Sequence, residues 1–263
     1  MSDARAARAD LGTLGVGAAL LALTSWSWYA VVQRSHDSMS GMAGMAGMTG
    51  MTPGAVEAAT FVLEWGVMMA AMMLPSAAPM IMLYGTVRRR LSADGERAIP
   101  GWLFGATYVG FWTLSGIPVY AGYVGASKLR MCCAWFTGAA PYLVAAVLVA
   151  AGLYQLTSLK RACLAQCESP LSFLMTRWRT GYRATFALAT RHALYCIGCC
   201  WALMVILVVA GMMGIWWVTG IAVVVFAEKI LPAGRRVATG VGFALIALGL
   251  VVAGVPDLLG RIR

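Results

Sequence analysis

The sequence predicts an all-α protein, a polytopic transmembrane helix bundle. Its residues are 61% hydrophobic and 11% charged, with a mean hydropathy of +0.79, whereas ordinary soluble domains carry roughly 25% charged residues. Apolar runs of about 20 residues, long enough to cross a bilayer as helices, recur along the whole chain. Lipid offers no partner for free backbone groups, so each spanning run must be helical.

We predict about seven spans, with six spans and a re-entrant hairpin as the alternative. The alternative arises because residues 211–214 leave almost no loop between the fifth and sixth apolar runs. The predicted spans cover residues 11–32, 59–84, 102–123, 140–158, 193–212, 214–230 and 238–256.

The first apolar run is predicted to be a retained helix, although Arg5 and Arg8 precede it as in a signal peptide. Where a small-residue cleavage site would be expected, the chain reads Trp26-Ser27-Trp28-Tyr29. Such aromatic residues suit a membrane interface. The predicted organisation is a first transmembrane helix (1–32), a Met/Gly-rich outer loop (33–58) and a metal-binding transmembrane helix bundle (59–263).

The basic residues predict a cytoplasmic N-terminus in a multi-pass protein of the bacterial inner (cell) membrane. Cytoplasmic loops of membrane proteins carry an excess of Lys and Arg. The net charge of +10 then belongs to rims that border the lipid bilayer, so we expect no nucleic-acid partner. In this orientation the outside positions among the 20 Lys and Arg are Arg34, Lys128, Arg130, Arg261 and Arg263.

Methionines recur at every third position of the predicted outer loop. With three residues per turn, polyproline II geometry would place them all along one edge. Thioethers are soft ligands that select Cu(I), so we interpret the repeat as a metal-capture segment; the alternative is a flexible linker. The repeat consists of Met39, Met42, Met45, Met48 and Met51.

A second group of methionines lies inside the second predicted span: Met68, Met69, Met72 and Met73. Pro75 lacks an N–H donor and clashes with the carbonyl of the residue four positions earlier, so a kink is expected beside these thioethers. We interpret the group as a path for a soft metal ion. Ordinary helix packing is the alternative, since methionine also fills gaps between helices.

Five cysteines and a histidine are predicted to gather at the cytoplasmic face. Cys163 and Cys167 are one helical turn apart, and the remaining residues form one stripe at the start of the fifth span. The cytoplasm keeps thiols reduced, which favours metal ligation over a disulfide; helix packing is again the alternative. Cu(I) is the expected ion, and zinc is possible because sulfur with histidine nitrogen suits it. The stripe contains His192, Cys196, Cys199 and Cys200.

Two further pairs of adjacent residues carry ionisable or thiol side chains. Glu228 and Lys229 are ionisable residues within the sixth span, where such groups are functional candidates. They either neutralise one another, or the Glu228 carboxylate acts as a cation ligand that assists release. The adjacent Cys132 and Cys133 in an outer loop indicate nothing specific.

Four motifs in order resemble the bacterial family of predicted metal-binding integral membrane proteins catalogued as domain of unknown function two-one-eight-two. The resemblance covers residues 58–236 and implies metal binding. Glu168 departs from the pattern, because a basic residue is expected there, and the methionine repeat is not part of the resemblance. The motifs are Trp65-x-x-Met68-x-x-Ala71-Met72-Met73-x-Pro75-Ser76-x-x-Pro79; Tyr154-Gln155-x-Thr157-x-x-Lys160-x-x-Cys163-Leu164-x-x-Cys167-x-x-Pro170; Gly198-Cys199-Cys200-Trp201-x-x-Met204; and Glu228-Lys229 with Pro232.

The predicted function is binding of Cu(I) through Met and Cys side chains, followed by transport or by transfer to a copper-receiving protein or membrane complex. The chain contains neither a phosphate-binding loop nor an Asp-Lys-Thr-Gly motif, so nucleotide-driven pumping is not expected. An enzymatic role is not favoured. Two alternatives are a membrane thiol–disulfide oxidoreductase that uses the paired cysteines, and a structural accessory subunit of a larger membrane complex.

Overall fold

The computed structural model describes residues 2–40, 54–91, 101–209 and 215–255. All regular secondary structure in these ranges is helical, which confirms the all-α prediction. The ten helices are α1 (Ser2–Ser40), α2 (Ala55–Leu91), α3 (Gly101–Leu114), α4 (Gly116–Cys132), α5 (Ala134–Gln155), α6 (Ser158–Glu168), α7 (Pro170–Arg177), α8 (Tyr182–Val209), α9 (Ile215–Ile230) and α10 (Gly234–Gly254).

Five helices in the described part of the chain are long and apolar enough to cross a membrane: α1, α2, α5, α8 and α10. They correspond to the first, second, fourth, fifth and seventh predicted spans. The other two predicted spans lack a single helix of this length, because 102–123 is divided between α3 and α4 and α9 has 16 residues. Five candidate spans are therefore established, and the count of seven stays a prediction.

The division between α3 and α4 has a local cause. Pro118 has no N–H group to donate to the carbonyl of Leu114, so the helical hydrogen-bond ladder is interrupted there. Ser115, at the break, donates its hydroxyl to the carbonyl of Trp112 at 2.6 Å and accepts a hydrogen bond from Trp65 Nε1 at 3.0 Å. The break thereby gives α2 a polar contact with this helix pair.

Helix α2 lies at the centre of the bundle and contacts α1, α3, α4, α7 and α9. It remains helical through Pro75 and Pro79. Its middle is completely enclosed, since Met69, Met72 and Met73 are at most 1% exposed. Helix α1, by contrast, presents much of its apolar surface outward.

Helices α5 and α10 pack backbone to backbone through glycines. A Cβ atom added to Gly152 would lie 2.6 Å from the carbonyl oxygen of Gly242, and one added to Gly242 would lie 3.0 Å from the carbonyl oxygen of Gly152. Small residues let membrane helices approach closely in this way. The two glycines set the spacing between these helices.

A buried ion pair links three helices near one end of the bundle. Lys160 Nζ of α6 lies 2.6 Å from Glu228 Oε2 of α9, and the two side chains are 1% and 2% exposed. Gln155 Nε2, at the end of α5, donates to Glu228 Oε1 at 3.1 Å. Because each charge is buried, each depends on the other for compensation.

Gly242→Val is expected to destabilise the protein by about 1–3 kcal/mol, because the added methyl groups overpack the α5–α10 contact. Gly240→Val on the same helix is the matched control, since a Cβ there meets nothing within 4 Å. Thermal unfolding of the purified protein in detergent measures both. Equal melting temperatures for the two variants would show that the glycine contact does not hold these helices together.

Glu228→Gln is expected to cost about 3–5 kcal/mol of stability, because it leaves the Lys160 ammonium buried without a counter-charge. Glu64→Gln is the control, because Glu64 pairs with Arg34 where both side chains are substantially exposed. An exposed pair contributes about 0–1 kcal/mol. Denaturation in a graded detergent series measures the stability of both variants. An equal loss of stability in the two would contradict this expectation.

Candidate metal centre

Three cysteines of α8 form a buried sulfur cluster. The Sγ atoms of Cys196, Cys199 and Cys200 all lie within 4.8 Å of one another, and each residue is 1% exposed. Spacings of three and four residues place them on one face of the helix. The thiols of Cys199 and Cys200 donate to the carbonyl oxygen of Cys196 at 3.1 and 2.8 Å.

Helix α6 adds a fourth thiol to this cluster. Interaction with the neighbouring thiols of Cys196 and Cys199, together with burial, raises the pKa of Cys167 well above its ordinary value. One turn earlier on α6, burial raises the pKa of the half-buried Cys163 thiol. The half-buried thiols of Cys163 and Cys167 thus form a row on α6 beside the buried triad of α8.

The close approach of α6 to α8 requires a glycine. A Cβ atom on Gly198 would lie 2.9 Å from Cys163 Sγ. The carbonyl oxygen of Gly198 also accepts a 2.5 Å hydrogen bond from the hydroxyl of Tyr154. Gly198 therefore allows the two cysteine-bearing helices to come together.

One methionine of α2 reaches the cluster. Met73 Sδ lies 3.9 Å from Cys200 Sγ and 3.9 Å from Lys229 Nζ. Met68, Met69 and Met72 are also buried, and they lie along the preceding turns of the same helix. The structure thus places one thioether of the predicted path beside the thiols and the other three in the core between α2 and its neighbours.

A lysine that the sequence analysis did not assign to the site completes it. Lys229 is 6% exposed, and its Nζ lies 2.9 Å from Cys196 Sγ and 3.3 Å from the hydroxyl oxygen of Ser76. Successive residues point about 100° apart around a helix, so Lys229 faces the cysteines while Glu228 faces Lys160. Glu228 and Lys229 therefore have different partners.

Aromatic rings enclose the cluster on the α3 side. The hydroxyl of Tyr108 lies 3.0 Å from Cys196 Sγ. The His192 ring lies 5.6 Å from those of Tyr108 and Phe173 and 5.9 Å from that of Phe104. Its Nδ1 is buried without a hydrogen-bond partner in the described structure, and the group of ligand atoms within 4.8 Å contains cysteines alone. His192 borders the cluster one helical turn away.

The cluster lies near the middle of α8 and not at its end. Helix α8 begins at Tyr182, and Cys196 lies roughly 21 Å further along the helix axis. Met73 is at the midpoint of α2. The cysteines are therefore in the interior of the helix bundle, and their position relative to a membrane face stays a prediction.

Glu228, another predicted site residue, is not part of this cluster. Glu228 is engaged by Lys160 and Gln155. Met39 belongs to the last turn of α1. The exposed Cys132 and half-buried Cys133 have sulfur atoms 2.8 Å apart in the α4–α5 connection. Outside the described residues lie Met42, Met45, Met48 and Met51.

The donor set at the cluster consists of sulfur atoms from three helices: the α8 triad, Cys167 of α6 and Met73 of α2. Thiolate and thioether sulfur are the ligands that select soft metal ions. The buried ammonium of Lys229 lies where it can compensate the negative charge of metal-bound thiolates. This arrangement is chemically suited to holding a soft cation away from water.

Comparison with known proteins agrees with this chemistry. A family model described as copper chaperone, PpoB2, matches residues 62–252, a range that contains the whole sulfur cluster and Lys229. No curated protein and no solved structure matches the chain. The match supports a copper-related family, as the motif resemblance implied, while the numbered family named from the motifs stays a prediction. The matched range is most of the sequence, and the chain therefore belongs to the PpoB2 copper chaperone family.

Proposed function

We propose that the protein is a membrane-embedded chaperone that holds Cu(I) at the buried sulfur cluster and transfers it to a partner. The observation that supports this most directly is the convergence of three buried thiols within 4.8 Å, with Cys167 and Met73 beside them. Membership of a copper chaperone family supports the same function. Zinc is the alternative ion, with His192 one turn from the thiols as a nitrogen ligand.

The charges around the cluster are compatible with Cu(I) bound by two thiolates. Two thiolates bound to Cu(I) carry one net negative charge, and one ammonium group, that of Lys229, lies 2.9 Å from Cys196 Sγ. A buried charge without compensation is costly. The loaded site would therefore be close to neutral.

The row of thiols suggests how the ion enters or leaves. Cys163 and Cys167 are half-buried on successive turns of α6, and Cys167 interacts with the α8 cysteines. Cu(I) would move along this row by thiol exchange, without passing through an uncoordinated state. We propose that the copper-receiving protein or membrane complex approaches the Cys163 end.

We further propose the membrane arrangement that the sequence predicts. The five long apolar helices are consistent with a membrane protein; seven spans, a cytoplasmic N-terminus and location in the bacterial inner membrane complete the proposal. In this arrangement Met39 to Met51 would collect the ion outside, and Met68, Met69 and Met72 would lie between that segment and Met73. Net transport across the membrane is then an extension of the chaperone function.

The test is an anaerobic Cu(I) titration of the detergent-purified protein against a competing chelator. Cys196→Ser/Cys199→Ser should lower Cu(I) affinity more than the roughly 10–100-fold that loss of an outer-shell group causes. Cys132→Ser/Cys133→Ser is the matched control, because it removes the same number of thiols from the α4–α5 connection and should bind like the wild type.

Equal Cu(I) affinity in both double variants would contradict the proposal. Reversible disulfide formation in the wild type, with no copper bound, would favour the thiol–disulfide oxidoreductase instead. Stoichiometric binding of Zn²⁺ without binding of Cu(I) would support a metal site at the cluster and identify zinc as its ion.

Lys229→Met is expected to weaken Cu(I) binding by roughly 10–100-fold, since it removes the charge that compensates the thiolates and keeps an apolar side chain of similar length. The same chelator competition measures the affinity. Lys128→Met, at an exposed position of α4, is the control and should change nothing. Wild-type affinity in Lys229→Met would show that the ammonium only packs against the cluster.

A further inference from the structure

A basic cleft lies between α7 and the first half of α8. Its volume is about 500 Å³. Most of its lining consists of polar side chains from the end of α7, the connection to α8 and the first turns of α8. Ala184 and Ala187 also line it with small side chains. The polar lining consists of Arg177, Arg179, Arg183, Arg191, Thr176 and Thr180.

The arginines of this cleft are not neutralised by the carboxylates that the structure describes. Glu64, Glu168 and Glu228 form their ion pairs elsewhere, with Arg34, Arg235 and Lys160. Glu57, near the start of α2, accepts a hydrogen bond from the backbone N–H of Gly54. Four guanidinium groups around one cleft therefore form a strongly positive site, as in pockets that recognise phosphate groups.

The geometry of the cleft is fixed by its two helices. Arg183 and Arg191 lie two turns apart on the same face of α8, with Ala187 between them. The guanidinium carbon of Arg177 lies 4.9 Å from the centre of the Phe173 ring and 6.0 Å from that of Tyr195. Arginine forks of this kind give bidentate hydrogen bonds to phosphate oxygens.

Apolar side chains of α7 and α8 are exposed close to the cleft. On a helix that crosses a membrane such residues contact acyl chains, so with α8 in a membrane the cleft would lie where lipid tails and charged headgroups meet. These residues, each more than half exposed, are Leu171 (57%), Met175 (59%), Tyr182 (58%), Phe186 (52%) and Leu194 (53%).

We propose that this cleft binds a phosphate group, supplied by the headgroup of an anionic phospholipid or by free phosphate. The arginines and threonines hold the phosphate oxygens, and in the lipid case the acyl chains lie along the exposed apolar residues. The proposal rests on the membrane placement of α8 proposed above and is independent of copper binding.

The test compares Arg183→Gln/Arg191→Gln with Lys128→Gln/Arg130→Gln, which removes two charges from exposed positions of α4. Native mass spectrometry measures retention of phosphatidylglycerol against phosphatidylcholine, and a thermal-shift titration measures inorganic phosphate. Because each basic residue near an anionic lipid contributes about a fivefold factor, the cleft variant should bind phosphatidylglycerol about 30-fold more weakly. The control should match the wild type.

Ala187→Phe provides a second test, because it fills the cleft and keeps all four arginines. It should also lose phosphatidylglycerol. If the cleft variants lose inorganic phosphate stabilisation and no protein retains lipid, the phosphate site stands with free phosphate as its source. The proposal would be overturned if the wild type and all variants retained phosphatidylglycerol equally and showed equal thermal shifts with inorganic phosphate. Cu(I) titration of the same samples checks folding and separates this outcome from a failure of the copper site.

Discussion

A lysine ammonium buried inside a helix bundle requires acceptors around it, and the arrangement of the sulfur cluster follows from this requirement. Lys229 of α9 finds them in Cys196 of α8 and in Ser76 and Met73 of α2. These contacts fix α9 against two long helices at their midpoints. The neighbouring ion pair of Glu228 with Lys160 then fixes α6 against α9, which brings Cys167 to the triad. Two adjacent charges thus position all of the sulfur-bearing helices.

The same arrangement explains how a site of this kind would both protect and release copper. Burial of the α8 triad limits access of water, while the ammonium of Lys229 reduces the cost of holding thiolates in an apolar interior. Cys163 remains half-buried at the other end of the row of thiols. In the proposed function, tight holding and transfer would therefore use different members of one cysteine set, which suits a chaperone of the family to which the chain belongs.

Hydropathy was sufficient to predict the helical class, because long apolar runs in lipid have one solution for their backbone hydrogen bonds. The 3.6-residue period likewise placed Cys196, Cys199 and Cys200 on one stripe of α8. The sequence did not predict that α8 continues through the polar residues before the apolar run, from Tyr182 to Val209. The role of Lys229 in the site was missed because its sequence neighbour Glu228 offered an apparent local partner. The available signal was the lysine itself, which lies in an apolar span with no other acidic residue nearby. Pairings between distant helices, such as Lys160 with Glu228, depend on tertiary packing.

X-ray absorption at the copper edge of the protein loaded with one equivalent of Cu(I) tests the central claim most directly. A site formed by the α8 cysteines with Cys167 or Met73 gives a coordination shell of sulfur alone, and this shell should be altered in Cys196→Ser. A shell dominated by nitrogen or oxygen, or a spectrum that Cys196→Ser leaves unchanged, would place the copper elsewhere in the protein and contradict the assignment of the buried cluster as its binding site.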